Sequence, residues 1–300
     1  MPILHPQSSL KFFLMACAIW GLTTLPCVAT VAQTSGNIFN TLNSDIKTNN
    51  TDKNSEHKKE YYPNGNLKRE GNLKNGEPDG LWKVYYGNGN LMVEANFKGR
   101  NEEVLFKVYH GNGNLRIEGN FKDGNEEGLW KYYHKNGNLK SEGNYKNGDE
   151  EGLWKEYYGN GNLKSESNYK NGNEEGLWKE YYDNGNLWNE GNYKDGKKEG
   201  LWKAYYDNGN LKREGNYKDG KPNSLWKEYH DNGNLWREGN YKDGNEEGLW
   251  KYYYKNGNLK SEPNFKDGKL ISEYMIIGID GKKVKMTDKE SYLINLLFSD

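Results

Sequence analysis

Cysteine and histidine are scarce in this chain. Its 300 residues include two cysteines, Cys17 and Cys27, and both lie in an apolar stretch near the N-terminus. If that stretch is removed, no thiol remains, which excludes disulfides, zinc–thiolate sites and cysteine nucleophiles. Of the five histidines, His5 and His57 lie outside the repeats described below, and the other three occupy positions that tyrosine also fills. We therefore expect no catalytic set, no bound metal and no cofactor.

Charge of one sign and aliphatic residues are also in short supply. The 42 basic and 43 acidic residues interleave and leave a net charge of −1. No basic block is available to follow a phosphate backbone, which argues against nucleic acid as a partner. Hydrophobic residues make up 33% of the chain, against a usual ~45–50%, a composition typical of disordered chains. The 24 tyrosines and 10 tryptophans must supply much of any buried surface.

A repeat without insertions or deletions outweighs the disordered interpretation. The tetrapeptide Asn-Gly-Asn-Leu occurs nine times at a constant spacing of 24 residues. Its leucines are Leu67, Leu91, Leu115, Leu139, Leu163, Leu187, Leu211, Leu235 and Leu259. A fixed period of this size predicts a quasi-one-dimensional array in which each unit packs on its neighbours. The array covers about residues 60–268.

One unit, taken as residues 152–175, contains two β-rich runs separated by turn residues. The first strand is predicted over residues 153–158 and the second over 163–170. Asn-Gly dipeptides favour the left-handed conformations of a tight hairpin, so residues 159–162 are predicted to form the hairpin turn. A longer turn is expected to begin at residues 171–173. Each unit is then a β-hairpin, and the fold class is all-β: an elongated antiparallel array of nine hairpins.

Residues 24 positions apart form columns along this array. A tryptophan column and an unbroken tyrosine column are expected to form the core. The tryptophan column is Trp82, Trp130, Trp154, Trp178, Trp202, Trp226 and Trp250, with Phe106 in one repeat. The tyrosine column is Tyr61, Tyr85, Tyr109, Tyr133, Tyr157, Tyr181, Tyr205, Tyr229 and Tyr253. The column of Gly143, Gly191 and Gly215 is predicted to let a ring from a neighbouring strand lie close on the backbone.

Other aromatic residues are candidates for partner contact. One column mixes tyrosine and histidine, which indicates half-burial. Its candidates are Tyr86, His110, His134, Tyr158, Tyr182, Tyr206, His230 and Tyr254. Trp188 and Trp236 occupy a position usually held by lysine, on the face predicted to be solvated. Exposed indoles are favoured at interfaces, and chance substitution is the alternative account of these two.

The two ends of the chain differ from the repeats. Residues 12–32 form an apolar run with small residues at Ala29 and Ala32, which is typical of a secretory signal. Because the run is also long enough to span a bilayer, a retained membrane anchor is the alternative. A flexible polar spacer is expected over residues 33–59. Residues 269–300 are interpreted as a cap, with a hairpin around Asp280 and a short helix opening at Thr287.

The motif Tyr-Tyr-x-Asn-Gly-Asn-Leu-Lys-x-Glu-Gly-Asn-Tyr-Lys-x-Gly, followed by Gly-Leu-Trp-Lys, resembles the MORN repeat. It is more similar still to the bacterial variant often labelled antitoxin-type. The resemblance implies a scaffold that binds proteins or, in some cases, phospholipid, and the antitoxin label implies neutralising a partner by binding it. A looser likeness connects residues 248–254 with the aromatic hairpins of choline- and glucan-binding surface proteins.

Together these patterns predict an exported repeat protein that is not an enzyme. The expected partner is a protein, bound by a scaffold or an immunity-type binder. Cell-wall glycan or choline is the alternative ligand, and membrane lipid is a further one. Edge strands of such a sheet can template pairing between copies, so self-association is also expected as an alternative. A periplasmic, cell-surface or secreted location follows from the export signal.

Overall fold

The computed structural model describes residues 55–97, 103–273, 275–278 and 281–285. These residues form 22 β-strands, and every strand pair among them is antiparallel. The all-β antiparallel prediction is therefore confirmed. No helix capable of crossing a bilayer occurs in this part of the chain. The predicted signal and the helix expected from Thr287 both lie outside the described residues.

The strands divide into two compact units at the boundary between Gly152 and Leu153. In unit 1, consecutive strands pair as a meander. Its strands are β1 Glu56–Tyr61, β2 Leu67–Lys74, β3 Glu77–Tyr85, β4 Leu91–Phe97, β5 Val104–Tyr109, β6 Leu115–Lys122, β7 Asn125–Tyr133 and β8 Leu139–Lys146. Since β1 begins at Glu56, the array starts four residues earlier than the predicted Glu60.

Strand β9, Asp149–Tyr157, begins in unit 1 and ends in unit 2. Within unit 2 the consecutive strands over residues 163–253 also pair as a meander. Its further strands are β10 Leu163–Lys170, β11 Asn173–Tyr181, β12 Leu187–Lys194, β13 Lys197–Tyr205, β14 Leu211–Lys218, β15 Lys221–Tyr229, β16 Leu235–Lys242, β17 Asn245–Tyr253, β18 Leu259–Ser261, β19 Asn264–Lys266, β20 Lys269–Leu270, β21 Met275–Ile277 and β22 Lys283–Lys285. The last two form a hairpin around Gly281, as the sequence predicted.

The two turns of each repeat have the opposite roles to those predicted. Asn171 and Gly172 both have positive φ, 49° and 75°, and form a two-residue hairpin turn of type I′. The Asn-Gly-Asn segment belongs instead to a five-residue loop, residues 158–162, in which Gly161 takes φ 94°. As a result β9 begins at Asp149, four residues before the predicted Leu153, whereas β10 has the predicted bounds.

A β-bulge near the start of β3, β7, β11, β13, β15 and β17 positions the tryptophan of each strand. Between β12 and β13 the register passes from Glu190 opposite Lys203 to Asn192 opposite Glu199. Residues 200–202 therefore lie opposite Gly191 alone, and Gly200 supports this irregularity with φ 71°. Ser224 holds the equivalent position with φ 67°, a conformation that costs an L-residue about 1–2 kcal/mol.

Glycine forms the floor on which most of the tryptophan rings rest. A Cβ atom at Gly191 would lie 2.2 Å from the ring of Trp202, and one at Gly119 would lie 2.2 Å from the ring of Trp130. The prediction that glycine admits a ring close to the backbone is confirmed. Ser167 occupies the same column, and its partner across the strands, Trp178, is only half-buried. A side chain in the floor thus accompanies a ring that is less deeply seated.

Edge-to-face aromatic contacts complete the core on what we call the tryptophan face, the face of each unit that carries the tryptophan column. In unit 2 neighbouring centroids lie between 5.1 and 6.2 Å apart. The alternating series is Trp178, Tyr193, Trp202, Tyr217, Trp226, Tyr241 and Trp250. Each such contact contributes about 0.5–1.5 kcal/mol beyond area burial. In unit 1 the buried cluster contains Trp82, Ala95, Val104, Phe121 and Trp130.

Candidate binding surface

The opposite side of each unit, here called the leucine face, carries the tyrosine column. It also carries a column of glutamates that recurs every 24 residues from Glu70 to Glu262 without exception. Tyr205 donates to Glu190 Oε1 at 2.7 Å, and Tyr133 donates to Glu118 Oε1 at 2.6 Å. The same bond recurs at Tyr85–Glu70, Tyr181–Glu166, Tyr229–Glu214 and Tyr253–Glu238. The sequence placed this tyrosine column in the core. The hydroxyls instead bond across a half-exposed face, which explains why tyrosine and glutamate do not vary.

These bonds predict a loss of stability in strong alkali. Burial and the hydrogen bond to a glutamate raise the pKa of Tyr85, Tyr181, Tyr205, Tyr229 and Tyr253 to about 12 each. An unfolded tyrosine has a pKa of about 10. The folded state therefore holds these protons more tightly, and its stabilisation is complete below pH ~10 and lost as pH rises towards ~12. The tyrosinate absorbance of these five residues should rise together with unfolding in that window, and the amplitude of the rise should be smaller in Tyr205→Phe. Ionisation of these five tyrosines near pH ~10, with the sheet intact, would contradict this expectation.

Within each unit, the Tyr/His column links one repeat to the next. Tyr182 donates to the carbonyl oxygen of Tyr205 at 2.8 Å, and Tyr206 donates to that of Tyr229 at 2.7 Å. His110 Nε2 lies 3.1 Å from the carbonyl oxygen of Tyr133. Equivalent contacts involve Tyr86, Tyr158 and His230. All eight candidates in this column are half-buried, His134 and Tyr254 included. The predicted binding role of this column stays a prediction.

The Asn-Gly-Asn loops form a ladder of their own. Asn184 accepts from the backbone N–H of Asn186 at 2.9 Å and so closes the loop internally. Asn186 also donates through its side chain to the carbonyl oxygen of Asp207 in the next loop at 2.7 Å. The same pair of contacts recurs along the array, for example from Asn210 to Asp231. The motif that revealed the repeat is therefore structural.

The paired carboxylates are structural too. Glu126-Glu127 lies within β7, and Glu174-Glu175 lies within β11. Glu127 accepts from the backbone N–H of Asn147 at 2.9 Å, and Glu175 accepts from that of Asp195 at 2.9 Å. Each glutamate thereby holds the tight turn of the following repeat.

Trp188 and Trp236 differ from every tryptophan in the core. Each is 39% exposed, and each is the unpaired residue of a bulge, because the register jumps from Asn189 to Leu187 and from Arg237 to Leu235. The bulge breaks the alternation on which their placement rested. Arg237 lies with its guanidinium carbon 5.2 Å from the Trp236 ring centre and 5.1 Å from that of Trp250. Trp236 therefore lies beside the tryptophan face.

Both exposed indoles rest on a member of the Tyr/His column. Trp188 lies 5.7 Å from Tyr182 between ring centres, and Trp236 lies 6.4 Å from His230. Lysines of the same column cover the equivalent rings, with Lys212 Nζ 5.3 Å from the centre of Tyr206. The structure thus brings together two of the candidate sets, as two exposed aromatic pairs in unit 2.

The leucine face also exposes a feature that the sequence did not reveal. One leucine in each long strand is between 42% and 51% exposed. These leucines are Leu81, Leu105, Leu129, Leu153, Leu177, Leu201, Leu225 and Leu249. Each lies opposite an invariant asparagine, as Leu177 does opposite Asn192, so they are separated by polar side chains. The alternation along the strand puts leucine and tryptophan on opposite faces of the sheet, but it does not indicate which of the two faces is buried.

The geometry of nine equivalent hairpins agrees with a family comparison. The model of the MORN repeat variant matches residues 57–75, 78–98, 102–123, 126–147, 150–171, 174–195, 198–219, 222–243 and 246–267. The chain belongs to this family. The resemblance of the sequence to the MORN repeat is therefore confirmed, and nine repeats are present. Proteins of this kind are repeat scaffolds or binding modules and are generally non-catalytic.

Comparisons with individual proteins add little. No curated protein matches the chain. Among solved structures, one titled as a TcdB2-TccC3-Cdc42 complex is 12% identical, with a TM-score of 0.20, over 77% of this chain and 14% of the other. TcdB2-TccC3 without its hypervariable C-terminal region has the same identity and TM-score, over 77% and 16%. This MORN repeat chain spans less than a fifth of those proteins, and so low a score carries no argument.

Proposed function

We propose that this MORN repeat protein is an exported, non-catalytic scaffold that binds another protein, in the manner of an immunity or antitoxin-like binder. The observation that carries the proposal is the pair of exposed tryptophans, Trp188 and Trp236, each packed at a tilt against a half-buried ring. Tryptophan and tyrosine are enriched at interface hot spots because they offer a large, rigid contact area. Two such anchors in equivalent positions suit a partner that spans several repeats.

The remaining aromatic columns support this choice of anchors. Core tryptophans such as Trp202 and Trp250 are at most 5% exposed and are committed to the fold. The hydroxyls of the tyrosine column bond to glutamates within the same unit. Trp188 and Trp236 hold positions at which lysine serves in five other repeats of the array, so the fold does not require an indole there.

The double substitution Trp188→Lys/Trp236→Lys tests the proposal. Lysine is the usual residue of the column, so the melting temperature should change little. We expect the purified chain to retain one surface protein, and the double variant to lose at least tenfold in affinity for it, since hot-spot truncations cost about 2 kcal/mol or more. Lys164→Ala, in the same column, is the matched control and should bind normally. The mass of the chain recovered from the exported fraction tests export, with an N-terminus after Ala29 or Ala32 expected.

Two results would replace the proposal. Retention on purified cell wall, competed off by choline or glycan fragments, would assign the chain to glycan binding. Full affinity of the double variant for a protein partner would move the contact elsewhere on the array. A chain that keeps Met1 in the membrane fraction would favour the anchor over secretion.

A further inference from the structure

Two arginines occupy equivalent positions in neighbouring repeats, and their surroundings differ. Arg237 is held by two carboxylates: its Nε donates to Glu228 Oε1 at 3.0 Å, and Nη1 donates to Glu246 Oε1 at 3.0 Å. Nη2 also contacts Glu228. The side chain of Arg237 is 19% exposed. This arrangement shows how the repeat accommodates a guanidinium on the tryptophan face.

Arg213 stands one repeat earlier and lacks both partners. The residue equivalent to Glu228 is Ala204, and the residue equivalent to Glu246 is Pro222. Arg213 is exposed, and no carboxylate of the described residues forms an ion pair with it. Glu228 is its neighbour on the next strand, but that carboxylate is already bound by Arg237.

The loss of a side chain at Ala204 leaves a recess beside Arg213. Ala204 is 3% exposed. The cavity of about 10 Å³ is lined by Asn189, Lys198, Trp202, Ala204, Arg213 and Tyr217. A space of this size holds about one water-sized atom, such as one carboxylate oxygen. The recess therefore corresponds to the place that the carboxylate of Glu228 fills in the next repeat.

A second cation faces the same recess. Lys198 Nζ lies 4.1 Å from the ring centre of Trp202 and 5.4 Å from that of Tyr217. Lysine is itself unusual here, because glutamate fills this column at Glu126, Glu150, Glu174 and Glu246. Burial and the positive charge of Arg213 lower the pKa of Lys198, while Glu174 and Glu180 act in the opposite direction from beyond ion-pair distance. An anion between the two cations would relieve their repulsion.

We propose that Arg213 and Lys198 bind a carboxylate from outside the chain, in the place of the missing glutamate. A guanidinium presents two parallel donors to such a group, and the aromatic floor of Trp202 and Tyr217 lowers the local dielectric. An aspartate or glutamate side chain of a protein partner is the source that fits, a step that rests on the proposed function. Lys212, next to Arg213, lies between Trp188 and Trp236 in their column, so one partner could engage all three positions.

Side-chain resonances of arginine test the site with acetate as the probe. In the full chain, at constant ionic strength, acetate should shift the Nε–H signal of Arg213 in a saturable way, and Arg213→Lys identifies that signal by its loss. Ala204→Glu supplies a carboxylate within the chain and should abolish the acetate shift. Conversely, Glu228→Ala/Glu246→Ala should free Arg237 and create a second saturable signal.

Each alternative outcome overturns the proposal. An absent or non-saturable acetate shift would remove the site, and saturation by inorganic phosphate without response to acetate would contradict the carboxylate. Should Ala204→Glu fail to fold, Lys198→Gln still decides, because it removes the second cation, keeps the Arg213 signal observable and should weaken its saturable shift. Trp188→Lys/Trp236→Lys should leave the acetate shift unchanged. Partner affinity and the acetate shift are measured separately. The proposed function fails if the double tryptophan variant keeps its affinity for the protein partner, and the carboxylate site fails if the unsubstituted chain shows no saturable acetate shift.

Discussion

Replacing Trp202 by alanine is expected to lower the free energy of unfolding by about 3–5 kcal/mol, the usual cost of removing a buried large aromatic side chain. Trp202 is 5% exposed, contacts Tyr193 and Tyr217 edge to face, and donates through its indole N–H to the carbonyl oxygen of Asn192 at 3.1 Å. The substitution removes all of these contacts at once and opens the series of rings.

Leu201→Ala is the matched control for this experiment. Leu201 precedes Trp202 in β13, lies on the other face and is 47% exposed. Its truncation should cost under about 1 kcal/mol, since exposed substitutions usually change stability by about 0.5 kcal/mol. Denaturant unfolding followed by amide exchange across unit 2 measures both. Equal losses for the two variants would contradict the assignment of the tryptophan face as the core.

Adding a methyl group to the floor is the second large effect. Gly191→Ala would place a Cβ atom 2.2 Å from the Trp202 ring, far inside van der Waals contact, so the ring must lift. Overpacking of this kind costs about 1–3 kcal/mol, and we expect a value near the upper end. Tryptophan fluorescence should shift to longer wavelength as the ring gains water.

One repeat of the array already carries a larger residue in the glycine column, so the opposite substitution can be made there. Ser167 already stands in the floor, opposite the half-buried Trp178. Ser167→Gly should let that ring settle and raise stability by about 1 kcal/mol, the size of a small improvement in packing. Destabilisation by Ser167→Gly, or stabilisation by Gly191→Ala, would show that the glycine column has another purpose.

Much of this fold could be predicted from the sequence because each structural constraint recurs in nine repeats. The period, the second strand of each unit, the burial of tryptophan and the glycine floor all followed from single columns. The turns did not, because each repeat holds two Asn-Gly sites with the same local preference. Asn171-Gly172 forms the tight turn because the two strands pair right up to it, with Lys170 opposite Asn173. The extent of that pairing depends on contacts between strands and is not encoded in the dipeptide itself.

The candidate surface was harder to predict for a related reason. Alternation assigns a face only while the strand is regular, and Trp188 and Trp236 lie on bulges that the pattern does not mark. The residues of the proposed carboxylate site could in principle be identified from the sequence. Ala204, Pro222 and Lys198 stand where other repeats have glutamate, but only the contacts of Arg237 show what those glutamates do.

Membership of the MORN repeat variant family explains the regular columns, and departures from them mark the candidate surface. Trp236 and Arg213 lie beside the tryptophan face of unit 2, and Trp188 holds the position equivalent to Trp236 two repeats earlier. Other repeats fill these positions with other residues. The leucine face, by contrast, repeats without such departures. A protein that binds this chain should therefore contact the tryptophan face of unit 2.

Site-specific photo-crosslinking tests that claim most directly. A photoreactive residue is placed at Trp188 or Trp236 in the full chain within the producing cells, and at Leu177 or Leu201 on the leucine face as the control. We predict that both tryptophan positions form an adduct with the same protein and that the two leucine positions do not. Adducts from Leu177 and Leu201 alone would place the interface on the opposite face and contradict the account.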